Sequence, residues 1–238
     1  MISHELWILL LSAASIGFVH TVIGPDHYIP FVAMSRSGKW SLQKTSLITV
    51  LCGLGHVLSS VILGLIGIAF GVALSNLELF ESFRGNIAAW ALIVFGFTYL
   101  IWGLHRAIKN KPHTHLHVHE DGEAHIHKHS HALDHAHMHA NTTKKQFTPW
   151  ILFTVFVLGP CEPLIPLLMY PAAKESILGL ILVTTVFGIV TIITMLAAVL
   201  ISSFGINLLP LKTAERYMHA FAGAAVLICG LSIQFLGL

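Results

Sequence analysis

The stretch Gly24-Pro25-Asp26-His27 interrupts the first hydrophobic segment of the chain, and Gly159-Pro160-Cys161-Glu162 interrupts the fourth. Proline lacks a backbone N–H and its ring clashes with the preceding turn, so each segment is predicted to break or kink there. An ionisable side chain near the bilayer centre costs about 2.5–3.5 kcal/mol on insertion scales, so such groups mark functional sites by default. Polar breaks at matching places in two halves of a hydrophobic chain are typical of transporters built from repeats.

The composition indicates an integral membrane protein. The chain has 238 residues, of which 55% are hydrophobic and only 10% are charged, whereas a soluble domain carries roughly 25% charged residues. The first segment lacks a basic leader and continues into the polar motif, so we expect it to be retained and not cleaved as a signal peptide. Six runs are long enough to cross a hydrocarbon core about 30 Å thick, at residues 6–34, 45–75, 87–105, 149–173, 177–204 and 217–237.

The distribution of Lys and Arg predicts the topology. Eleven of these residues fall in the loops after the first, third and fifth segments, and only Arg84 and Lys174 fall on the other side. Cytoplasmic loops carry the excess of positive charge. We therefore expect a multi-pass protein of a bacterial-type cytoplasmic (inner) membrane, with both termini outside and the long middle loop in the cytoplasm.

The second half of the chain repeats features of the first. Aligning Gly53 with Gly188 and Gly96 with Gly230 brings the other segments into correspondence, as internal repeats require. Because three segments make an odd number, the two halves should be inverted in the membrane. The predicted fold is an all-α membrane protein with six transmembrane helices in a 3+3 inverted repeat, whose helices 1 and 4 are broken at Gly-Pro. Its parts are a first repeat (1–106), a His-rich cytoplasmic loop (107–148) and a second repeat (149–238).

The polar side chains inside the segments favour a divalent transition metal. No Lys or Arg is expected deep in a segment, while two carboxylates offset a dication and imidazole suits Zn, Cu, Fe and Ni. Each group also has an ordinary structural explanation: a core histidine bonded to a carbonyl, a proton carrier or helix-end cap for the glutamate, and a small packing residue for the cysteine. The predicted metal ligands are His20, Asp26, His27, His56, Glu162 and Cys161.

The middle loop is biased toward histidine. Its composition is typical of metal-binding tracts, and it lacks the apolar content to fold alone, so we expect it to be disordered without metal. Metal capture is favoured over pH sensing, the competing use of clustered histidines. The predicted secondary ligands are His113, His115, His117, His119, His125, His127, His129, His131, His135, His137 and His139.

His20, followed by Pro25-Asp26-His27, and the His-rich central loop resemble the nickel/cobalt transporter superfamily, in particular its efflux permeases within the LysE-like group. The spacing is one residue longer than the importers' His-x4-Asp-His. The resemblance implies a non-enzymatic secondary transporter of nickel or cobalt, with zinc or iron as neighbouring substrates, working by efflux with proton exchange. No prosthetic group and no nucleic acid are expected. The expected partners are the metal ion, the lipid bilayer, and a second copy of the chain or a cytosolic metal-delivery protein.

The break around Cys161 is also similar to that of transmembrane thiol-disulfide transporters of the cytochrome c biogenesis type. That chemistry uses a pair of cysteines that exchange electrons through a disulfide. The matching position in the first half is Asp26, and the other cysteines, Cys52 and Cys229, lie on other segments. The relay is therefore the alternative interpretation, together with a metal importer or sensor.

Overall fold

The structure is a computed structural model that describes residues 4–109, 113–118, 124–129, 148–174, 176–207 and 215–237. The membrane part of these residues is all helical. Its helices are α1 (His4–Ile23), α2 (Ile29–Ser37), α3 (Leu42–Ala69), α4 (Leu74–Lys109), α5 (Thr148–Leu158), α6 (Leu164–Ala173), α7 (Ile177–Asn207) and α8 (Met218–Leu236).

Five of the described helices, α1, α3, α4, α7 and α8, are long and apolar enough to cross a membrane. The fourth predicted segment instead holds the two shorter apolar helices α5 and α6. Many large apolar side chains point outward, such as Leu11 at 64% exposure and Val94 at 62%. A surface of this kind is stable in contact with lipid and is unfavourable in water. The chain is therefore a multi-pass membrane protein.

Both predicted breaks are confirmed. Helix α1 ends at Ile23, a single 3-10 turn covers Pro25–His27, and α2 begins at Ile29. Helix α5 ends at Leu158, and α6 begins at Leu164 after a turn that contains Pro160 and Pro163. The prolines account for both interruptions because each removes a donor from the i to i−4 ladder.

Helix α4 begins at Leu74, well before the predicted start of the third segment at residue 87. Residues 76–86, which were expected to form an external loop, therefore belong to the first turns of α4. Charged residues lower the hydropathy of this stretch, so it was not predicted as part of a membrane segment. Two of these residues, Glu81 and Arg84, lie three positions apart on the helix and pair with each other. This pairing allows a polar sequence to continue as a helix beside the protein interior.

The helices pack so that the two breaks lie beside each other. Helix α4 runs along α8, α1 along α7, and α3 against α5 and α7, while α2 contacts α8. The α4–α8 contact depends on glycine: a side-chain carbon on Gly96 or Gly103 would collide with the backbone of α8, and one on Gly223 with the backbone of α4. Small residues permit this close approach of two membrane helices.

Part of the histidine loop forms a two-stranded antiparallel ribbon, β1 (His113–Val118) with β2 (Ala124–His129). Its register places histidines opposite histidines, namely His113 and His129, His115 and His127, and His117 and His125. The prediction of disorder for the whole loop stays untested. The predicted ligands outside the described residues are His119, His131, His135, His137 and His139.

Candidate functional site

A cavity of about 770 Å³ lies between the two breaks. Residues of both breaks line it, including Gly24 of the first and Gly159 of the second. Five of the six predicted intramembrane ligands also line this cavity: His20, Asp26, His27, His56 and Glu162. The sequence prediction therefore identified residues that the fold brings together from three different helical segments.

Three histidines form the centre of this group. His20 comes from α1, His27 from the 3-10 turn and His56 from α3. One ring nitrogen of each lies within 4.8 Å of one ring nitrogen of each of the other two. The ring centroid of His27 is 4.8 Å from that of His20 and 5.1 Å from that of His56. We call these three side chains the histidine cluster.

Hydrogen bonds fix the orientation of two rings. Nδ1 of His27 lies 3.0 Å from Oδ1 of Asp26 and 3.2 Å from the carbonyl oxygen of Gly24. Nδ1 of His56 lies 3.3 Å from the carbonyl oxygen of Phe156. Because a carbonyl can only accept, each Nδ1 must carry the hydrogen and donate it. The Nε2 atom of each neutral ring then has a free lone pair.

All three Nε2 atoms of the histidine cluster are buried without a hydrogen-bond partner among the described residues. His27 and His56 are each only 2% exposed. Leaving a buried polar atom unpaired costs about 1–3 kcal/mol, so such atoms are rare and call for an explanation. Three such atoms at one place make the histidine cluster the candidate ligand group of this site.

The other predicted ligands occupy different positions. Asp26 accepts the hydrogen of His27 Nδ1, so its carboxylate orients a cluster histidine. Glu162 lines the cavity but is not one of the three clustered groups. Cys161 is fully buried in an apolar cluster with Leu164 and Leu168 and does not line the cavity. Direct ligation by Asp26, Glu162 or Cys161 stays a prediction.

Sequence reasoning missed Glu81 and Arg84, and the expectation that no Lys or Arg lies deep in a segment is wrong. Arg84 is on α4, with its side chain 11% exposed, and Glu81 is fully buried. Nη1 of Arg84 donates to Oε1 of Glu81 at 2.6 Å. The i to i+3 spacing of opposite charges on a helix was the signal available in the sequence.

The Glu81–Arg84 pair holds the second break. Nη2 of Arg84 donates to the carbonyl oxygens of Val157 and Gly159, at 2.8 and 3.5 Å, where α5 ends. On the other side of the break, the backbone N–H of Cys161 donates to Oε2 of Glu81 at 3.3 Å. A cation therefore meets the last carbonyls of α5, where a helix carries partial negative charge.

Comparison with known proteins changes the interpretation. A family model described as "Cytochrome C biogenesis protein transmembrane region" matches residues 29–232. No curated protein and no solved structure matches the chain.

The assignment to the nickel/cobalt transporter superfamily, and with it the function of a nickel/cobalt permease, is wrong. The match that overturns it extends over most of the chain, while the resemblance depended on three residues, His20, Asp26 and His27, that precede the matched region. Histidines beside a helix break can occur on more than one membrane fold, so they do not identify a family. Because the match covers more than half of its length, the chain belongs to the family of cytochrome c biogenesis transmembrane regions.

Proposed function

We propose that this protein is a transmembrane thiol-disulfide relay of the cytochrome c biogenesis type, with Cys161 as the exchanging thiol. The family match supports this class of chemistry. The observation that carries the proposal is the position of Cys161: it lies at the second helix break, between Pro160 and Pro163, beside the cavity that both breaks enclose.

The other two cysteines are less suited to exchange. Cys52 lies inside the continuous helix α3 and Cys229 inside α8. Cys161 is outside any helix, and its neighbours Pro160 and Glu162 line the cavity. Because the thiol itself is fully buried, a partner reaches it only when the break rearranges. A turn between two short helices moves at lower cost than a residue inside a long helix.

One cysteine suffices for a relay if both partners are dithiol proteins. The Cys161 thiolate attacks the disulfide of the first partner, which gives a mixed disulfide and frees one thiolate of that partner. A thiolate of the second partner then attacks the Cys161 sulfur and releases the first partner as a dithiol. The second thiol of the second partner closes its own disulfide and returns Cys161 as a thiolate. Two electrons pass from the second partner to the first.

For the membrane arrangement we propose six spans in a 3+3 inverted repeat, in a bacterial-type cytoplasmic membrane with the histidine loop on the cytoplasmic side. The pattern of helix contacts supports the repeat. The contact of α1 with α7 has its counterpart in the contact of α3 with α5 and α6, and the contact of α2 with α8 has its counterpart in that of α4 with α5 and α6. In this proposed repeat α4 and α8 are equivalent helices, and they pack on each other.

The proposal is tested with proteoliposomes that contain a Cys-Gly-Pro-Cys peptide in its disulfide form inside and an excess of the reduced peptide outside. We expect the internal peptide to be reduced, which mass spectrometry of the vesicle contents measures. This reduction should be lost in Cys161→Ser. Cys52→Ser and Cys229→Ser are the matched controls, because both also replace a buried thiol and should retain the rate. Undiminished reduction in Cys161→Ser vesicles would refute the proposal.

A further inference from the structure

We infer that the histidine cluster, His20, His27 and His56, binds one divalent transition-metal ion through its three Nε2 atoms. This goes beyond the proposed relay, since Cys161 is not part of the cluster. It concerns binding of an ion within the membrane part of the protein and does not depend on movement of that ion across the bilayer.

The geometry of the cluster fits an ion with little adjustment. A tetrahedral metal with nitrogen ligands at about 2.0–2.1 Å places those nitrogens about 3.3 Å apart. The candidate ligand atoms already lie within 4.8 Å of one another, so the longest separation has to close by about 1.5 Å. Small rotations of the imidazole rings are enough to produce a change of that size.

The hydrogen bonds at Nδ1 prepare the rings for a metal. A histidine ligand usually donates its second N–H to a carboxylate or a carbonyl, which fixes the tautomer and makes the other nitrogen a better donor. His27 has this arrangement with Asp26 and Gly24, and His56 has it with Phe156. In their neutral forms both rings therefore hold an unprotonated Nε2 before any ion arrives.

Ordinary core packing does not explain the cluster. A core histidine normally has a hydrogen-bond partner at each nitrogen that is buried, yet the buried Nε2 atoms of all three rings lack one among the described residues. Buried ring nitrogens without a partner are unfavourable until a hydrogen-bond donor or a cation reaches them. A bound dication would satisfy all three atoms at once, and the Asp26 carboxylate would offset part of its charge.

The donor set limits the class of ion. Three imidazole nitrogens suit zinc and its neighbours in the first transition row, whereas calcium and magnesium require oxygen ligands. Three protein ligands leave one further position on a tetrahedral ion. All three histidines line the cavity, so there is room for a water molecule at that position.

The test uses cobalt(II), whose visible absorption reports its ligands and geometry, with zinc(II) as competitor. The protein is the purified full-length chain in which the eleven histidines between residues 113 and 139 are replaced by asparagine, so that the loop cannot bind the probe. We expect one cobalt ion per chain, and binding at least about 100-fold weaker in His56→Asn. Asp26→Ala should weaken binding about 10- to 100-fold, as loss of an orienting partner does.

The matched control is His105→Asn on the same loop background, because His105 is an exposed histidine of α4 outside the cluster. It should bind cobalt like the background protein. The inference is overturned if the background protein retains no cobalt, or if His56→Asn leaves its spectrum and affinity unchanged. The far-ultraviolet circular dichroism of each variant verifies that it is folded. Cobalt binding is measured without any thiol substrate, so failure of the relay proposal leaves this result standing, and the reverse also holds.

Discussion

The two helix breaks begin with the same Gly-Pro pair but obtain their polar partners in opposite ways. At the first break, Gly24 and Asp26 accept hydrogen bonds from His27, so the break is held by its own residues. At the second break, the partners come from another helix, where Glu81 and Arg84 of α4 bind the backbone of the turn.

This difference determines what each break can do. At the first break, His27 Nε2 has no hydrogen-bond partner among the described residues, and a ring nitrogen of His27 lies within 4.8 Å of ring nitrogens of two other histidines, so this break offers ligand atoms. At the second break, backbone polar atoms are used in holding the turn: Arg84 donates to the Gly159 carbonyl, and Glu81 accepts from the Cys161 N–H. The first break is thus suited to binding a ligand, while the second is a turn whose position depends on a charged pair in α4.

The largest effect is expected for Arg84→Met. This change leaves Glu81, which is fully buried, as an uncompensated charge, and it removes the donor to the carbonyls of Val157 and Gly159. Breaking a buried ion pair by removing one partner costs about 3–5 kcal/mol. The free energy of unfolding, measured by circular dichroism in mixed micelles of mild detergent and dodecyl sulfate, should fall by that amount.

The double variant Glu81→Leu/Arg84→Met is the control for this prediction. With both charges removed, no buried charge is left unpaired, so part of the lost stability should return. If the double variant is as unstable as Arg84→Met alone, the pair does not stabilise the protein through its charges. The conclusion that the second break depends on a charged pair would then be wrong.

The local features of the fold could be predicted from the sequence. Proline acts on its own helix, so the breaks followed directly from Pro25 and Pro160. His20 and His27 are seven residues apart, which would separate them by about 10.5 Å along a continuous helix; their ring centroids are 4.8 Å apart because α1 ends at Ile23 and the chain turns. The start predicted for helix α4 is too late in the chain. A hydropathy scale counts Glu81 and Arg84 as two separate charges, although they pair with each other in the folded protein.

The family assignment failed for a related reason. The nickel/cobalt resemblance rested on His20, Asp26 and His27, which describe only the polar chemistry around one helix break. The match to the cytochrome c biogenesis transmembrane region depends on the pattern over residues 29–232. These side chains therefore predicted where the fold brings polar groups together, but they did not predict the family.

A smaller effect is expected at the first break. In Asp26→Asn the amide oxygen can still accept the hydrogen of His27 Nδ1, and the Gly24 carbonyl remains 3.2 Å from that atom. Loss of one charge-assisted hydrogen bond that is replaced by a neutral one should lower the free energy of unfolding by about 1 kcal/mol. The same denaturation experiment measures this change. A loss as large as that of Arg84→Met would show that both breaks depend equally on a charged group.

The smallest effect is expected for Lys174→Ala, which tests whether burial or pairing makes the Glu81–Arg84 contact important. Nζ of Lys174 lies 2.5 Å from Oε2 of Glu5, close to the 2.6 Å of the buried pair, but both side chains are at least half exposed. Water screens such a pair and its side chains lose entropy, so many exposed pairs contribute nothing measurable. The free energy of unfolding of Lys174→Ala should match that of the parent protein within error.

The pH dependence of the Lys174 pair provides a second check. Hydrogen bonds to Glu5 and Tyr170 raise the pKa of Lys174 from 10.5 to about 12. Any stability from a raised lysine pKa is complete below 10.5 and is lost as the pH rises through 12, and water screening keeps this contribution within error for such an exposed pair. The difference between Lys174→Ala and the parent protein should therefore be the same at pH 7 and pH 9. A loss comparable to that of Arg84→Met at either pH would mean that pairing alone, without burial, explains why the second break needs its charges.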